Sequence, residues 1–127
     1  MGYYSDVNVA MRVKDYRALL AKVKENAEKI EGLDWLMKQA EVVSLYPKRG
    51  VEGQYVALFW CNMEWHEYAT GVSPAYPNVK FIMNFIRWLD EVSFVRVGEG
   101  EMDIERIDNG AELFDVFCVK HHIEISD

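Results

Sequence analysis

Residues 54–65 constrain this chain more than any other stretch. Read as extended backbone, they place Tyr55, Ala57, Phe59 and Cys61 on one face and Val56, Leu58 and Trp60 on the other. A strand that is apolar front and back belongs in the interior of a sheet and needs cover on both sides. The chain has 127 residues, of which half are hydrophobic and 28% charged. That size and balance fit one packed domain over residues 1–127 and exclude a wholly disordered or collagen-like chain.

The rest of the pattern supplies partners for that strand. Val7, Val9, Met11 and Val13 alternate with Asn8, Ala10 and Arg12, the period of a strand with one buried face. From Asp15 the period lengthens. Tyr16, Leu19, Leu20, Val23, Ala27 and Ile30 recur at three- and four-residue steps, which makes an amphipathic helix. Gly32 interrupts it, and residues 33–40 add a short helical piece carrying Trp35 and Leu36. Residues 41–46 read as a strand, and Pro47, Gly50 and Gly53 supply the reversal into residues 54–65. A loop over residues 66–77 leads to a second amphipathic helix through Phe81, Ile82, Phe85, Ile86 and Leu89, with Asn78 as its cap. Residues 93–98 form another strand, and residues 114–125 the last one.

The order strand, helix, strand, strand, helix, strand, strand points to an α+β fold of the ferredoxin-like βαββαβ type with an extra C-terminal strand. In the usual antiparallel order the fourth strand lies beside the first and the first beside the third. Cys61 and Cys118 then sit about 14 Å apart by strand spacing, too far for a disulfide. Both are expected as buried, inert thiols.

Catalytic patterns are weak. His66, His121 and His122 do not recur at zinc-ligand spacing, and the segment from His66 to Ala69 lacks the second histidine of a zinc helix. Cys118 and His122 are two strand steps apart, roughly 7 Å, beyond direct proton transfer. The expectation is therefore no catalytic residue, no metal and no cofactor. The net charge of -7 disfavours nucleic acid and anionic lipid as partners. The start lacks the basic and apolar regions of a secretory signal, and Asp6 breaks the myristoylation pattern after Gly2, so a cytoplasmic protein is expected.

Two features remain. Between Glu99 and Asp115 stand seven acids against Arg106 alone, while the other residues balance to within one charge. Extended, Glu99, Glu101, Asp103 and Glu105 form a row of carboxylates about 7 Å apart, suited to a basic protein groove or simply to a solvated sheet edge. Aromatics are the second feature: Trp60, Trp65, Tyr68 and Tyr76 on or after the central strand, with Tyr3 and Tyr4 before the first. Two helices cover one face of such a sheet, leaving the other for the chain itself, a partner or a second copy in a homodimer.

The opening from Met1 to Val7, with the later stretches Val97-Gly98-Glu99 and Asp103-Ile104-Glu105, resembles small accessory proteins encoded by bacteriophages and prophages. The resemblance implies a non-enzymatic protein that binds, and by analogy inhibits, a bacterial host or defence protein with a basic surface, as anti-CRISPR inhibitors do. The contact residues expected on this reading are Glu99, Glu101, Asp103, Glu105, Trp60, Trp65 and Tyr68. The alternatives are a small-ligand module or nucleotide sponge, with a pocket using Trp65, Tyr68 and Lys120, and a small enzyme.

Overall fold

A computed structural model describes residues 4–45, 55–69, 74–100 and 103–109. Eight elements follow along the chain: β1 (Tyr4–Arg12), α1 (Val13–Asn26), α2 (Leu33–Gln39), β2 (Glu41–Leu45), β3 (Tyr55–Glu64), α3 (Pro77–Ile86), β4 (Val92–Val97) and β5 (Ile104–Asn109). The fold is α+β. Its strands form one antiparallel sheet in the order β2-β3-β1-β4-β5.

β1 is the middle strand, between β3 and β4. Its alternation led to an expectation of one buried face, yet Asn8 and Ala10 on the second face are buried as well as Val7, Val9 and Met11. On that second face Ala10 joins Ala57, Phe59 and Val95 in a cluster drawn from three adjoining strands. The sheet's extra strand also differs from expectation. β5 is made by residues 104–109, from the acidic stretch itself, while residues 114–125 lie outside the described residues.

All three helices pack on one face. Leu19 and Val23 of α1, Leu33 and Leu36 of α2, and Val79, Ile82, Met83 and Ile86 of α3 close over the side chains of Val9, Leu58, Trp60 and Phe94. Gly32 makes the α1–α2 turn possible. Its φ is 76°, and a Cβ there would sit 3.0 Å from Asn78 Nδ2, so both backbone and space require glycine. Asn78 does not cap α3. Pro77 opens that helix, where its missing N–H costs nothing, and the Asn78 side chain instead donates to Gly32 O at 3.2 Å and accepts from Val79 N–H at 2.8 Å.

The opposite face carries a second, smaller cluster of Ala10, Ala57, Phe59 and Val95, with Val43, Tyr55 and Val97 against it. Val95, Ala10 and Ala57 are fully buried and Phe59 is 7% exposed within a single copy. The expectation of an uncovered aromatic face is thereby corrected for these residues. Cys61 is also a correction: it lies exposed on β3 beyond the cluster, whereas Cys118 is outside the described residues.

Candidate functional site

The acidic row does not form as a row. Gly98 N–H donates to Asp103 O at 2.8 Å and Asp103 N–H to Gly100 O at 3.1 Å, so the chain reverses between β4 and β5 instead of running extended from Glu99. Glu99 stays at the turn, where its Oε1 accepts from Tyr4 N–H at 2.7 Å; Glu101 lies outside the described residues. Asp103 and Glu105 converge on Arg96. The guanidinium forks onto Asp103 at 2.8 and 3.1 Å, reaches Glu105 Oε1 at 3.1 Å through Nε, and also donates to Ser5 Oγ at 3.1 Å. The Asp103 hydrogen bonds foremost, with those to Glu105 and against the cost of burial, hold the guanidinium charged beyond even its ordinary range. Two of the expected contact carboxylates thus serve an internal ion-pair network. The sequence signal for it is the lone arginine in Val95-Arg96-Val97, which stands directly across from Glu105.

The aromatics divide. Trp60 is 1% exposed, and its Nε1 donates to Leu36 O at 2.8 Å. Trp65 is buried beside it, with ring centroids 5.1 Å apart, and reaches Phe94 at 6.5 Å. Both belong to the core, which corrects the expectation that they face a partner. Trp65 Nε1 and Ser93 Oγ are the buried side-chain atoms without a hydrogen-bond partner among the described residues. Tyr68 is exposed, and Arg87 lies 5.8 Å above its ring. Arg87 is committed to the buried Glu67 through two hydrogen bonds, which fasten the segment after β3 to the end of α3.

A cleft that the sequence reading did not assemble opens where the start of β1, the end of β3, α2 and the start of α3 meet. It encloses about 580 Å³, within the range of sites that accept small ligands or several side chains. Tyr4 of β1, Trp35 of α2 and Tyr76 just before α3 line it together with Met63 of β3, and Glu31 and Glu64 are its charged members. No lysine, arginine or histidine is among its described lining residues. Tyr4 is 40% exposed and Trp35 54%, so both rings keep accessible surface.

Local structure sets this geometry. β1 and β3 lose register between Ser5 and Val7, where Cys61 and Asn62 together oppose Asp6. Asn62 adopts a φ of 54°, and its N–H is held by Asp6 Oδ1 at 2.9 Å. Such a bulge twists the end of a strand and re-aims its side chains, here beside Met63 and Glu64. Tyr76 is locked from two sides: its N–H donates to His66 O at 2.7 Å, and its phenol donates to Glu64 Oε2. The His66 ring meets the Tyr76 ring edge-on at 5.0 Å. The hydrogen bond to Glu64, then burial and the field of the same carboxylate, push the Tyr76 phenol above its ordinary range.

The pocket expected for the small-ligand alternative is not this one. Tyr76 and Pro77 belong to the end of the loop it invoked, but Trp65 is in the core, Tyr68 lies elsewhere on the surface and Lys120 is outside the described residues. A second hollow of about 400 Å³ lies between Lys22, Phe81, Phe85 and Trp88, with Trp88 87% exposed. No group of three or more His, Cys, Asp or Glu side chains placed to hold a metal occurs among the described residues. No described helix is long and apolar enough to cross a membrane. No protein-family model, curated protein or solved structure matches the chain.

Proposed function

We propose that the protein is a non-enzymatic binding protein that takes a positively charged group of a protein partner into the cleft between β1, β3, α2 and α3. One observation carries this reading. Three aromatic rings and two carboxylates line a cavity of about 580 Å³ with no basic side chain among its described lining residues. Aromatic faces and carboxylates attract cations together, and the attraction strengthens as water is displaced. Glu99, bonded to the Tyr4 amide, adds a third negative charge near the same corner.

The binding class is that expected from the sequence, but its surface moves from the acidic strand and sheet face to the cleft. The neighbour relations of the strands, β4 beside β1 and β1 beside β3, support a ferredoxin-like arrangement with β5 added outside β4. Combined with the resemblance to phage and prophage accessory proteins, the reading makes the partner a bacterial host or defence protein with a basic surface, met in the cytoplasm.

The test is capture from bacterial lysate, with the bound protein identified by mass spectrometry. The wild-type chain is compared with the Glu31→Lys, Trp35→Ala double variant, which alters two exposed cleft side chains. Loss of the captured protein by a variant with an unchanged melt supports the reading. Equal capture by both removes the cleft from the function.

A further inference from the structure

We propose that the group seated in the cleft is the guanidinium of an arginine, laid on the Trp35 ring and ion-paired with Glu31 and Glu64. This rests on the reading of the cleft as a cation site and narrows it to one side chain.

The lining separates arginine from lysine. An ammonium is a compact, strongly hydrated point charge with no flat face to lay on a ring, and it gives up its water reluctantly. Two of the neutral acceptors in the cleft already hold protein donors. Gly32 O accepts from Leu36 N–H at 2.9 Å and from Asn78 Nδ2 at 3.2 Å, and Asn78 Oδ1 holds Val79 N–H at 2.8 Å. Beside them the cleft offers the rings of Tyr4, Trp35 and Tyr76 and the carboxylates of Glu31 and Glu64. A guanidinium uses both at once, because its flat faces stack on rings while its N–H edge forks onto carboxylate oxygens, and it gives up its weaker hydration readily.

Tyr76 acts as a positioning residue in this arrangement. Its phenol donates to Glu64 Oε2 and fixes that carboxylate before any ligand arrives. A preset acceptor lowers the ordering cost of binding and rewards a ligand with fixed donor geometry over a flexible point charge. The cavity exceeds the needs of one side chain, so the residues flanking the arginine enter with it.

Three capped tripeptides test this, Gly-Xaa-Gly with arginine, lysine or its neutral isostere citrulline in place of arginine, titrated into the full chain at low salt by calorimetry and NMR shift mapping. The arginine peptide is expected to bind more tightly than the lysine peptide by about tenfold. The citrulline peptide should bind weakest. Trp35→Ala should weaken the arginine peptide, and Tyr76→Phe should narrow the arginine-to-lysine ratio without abolishing binding. Equal affinity for lysine and arginine overturns the arginine assignment and leaves the cation reading standing. Equal affinity for citrulline overturns both. Absence of binding by every peptide also overturns the arginine assignment, while lysate capture that still depends on Glu31 and Trp35 keeps the broader reading.

Discussion

Trp60 and Trp65 are neighbouring buried indoles with opposite hydrogen-bond standing, and replacing each by phenylalanine separates packing from polar satisfaction. Both substitutions remove a similar piece of apolar surface, on the order of 1–2 kcal/mol each, so that loss largely cancels in the comparison. Trp60 Nε1 donates to Leu36 O, one of the last four carbonyls of α2, a group that a helix end leaves without an internal amide. Trp60→Phe therefore orphans a buried acceptor, which costs about 1–3 kcal/mol. Trp65 Nε1 has no partner among the described residues, so Trp65→Phe removes a donor that is unsatisfied there and regains part of its packing loss. Trp60→Phe should be the less stable variant by roughly 1–3 kcal/mol in urea unfolding at unchanged slope. In thermal melts the gap should be roughly 4–12 °C. If Trp65→Phe proves equally or more destabilising, the assignment of the Trp60 bond as a structural tie to α2 is wrong.

Three further outcomes can be checked. Arg96→Gln leaves Asp103 and Glu105 facing each other without their shared cation, and should lower stability by roughly 2 kcal/mol, with Asp103→Asn restoring part of it in a double-mutant cycle. Gly32→Ala places a Cβ in the left-handed region and against Asn78, and should cost about 1–2 kcal/mol in the same unfolding assay. The raised phenol of Tyr76 is an acid whose neutral form is favoured in the folded state, so its contribution is complete below the ordinary tyrosine range near pH 10 and fades as pH rises through the raised value. Ultraviolet titration of tyrosinate should show a late-titrating residue that Tyr76→Phe removes, together with the alkaline loss of stability.

The parts legible in the sequence are those governed by local period. The two-faced apolar run around Phe59 and Trp60 announced a strand inside the sheet, the stripe through Leu19 and Val23 announced α1, and Gly32 marked the break before α2. Features set by strand register were not legible. Arg96 meets Asp103 and Glu105 only because β4 and β5 pair as they do, and the bulge at Asn62 exists only opposite Asp6. Asn78 has the residue type of a cap, but Pro77 itself opens the helix and the Asn78 amide ties Gly32 instead. The cleft was invisible for a related reason. Tyr4, Glu31, Trp35, Glu64 and Tyr76 come from separate stretches that no spacing rule joins, and the uneven acidity near Glu99 drew attention to charges that largely serve Arg96.

The bond from the Trp60 indole to the Leu36 carbonyl joins the deepest layer of the molecule to the short helix that bears Trp35. Anything that shifts this helix changes the electrostatic surroundings of an enclosed chromophore. Occupation of the cleft should consequently register as altered intrinsic emission, with no added dye, and replacing both Trp35 and the exposed Trp88 by phenylalanine would leave the two interior indoles as remote reporters of the event.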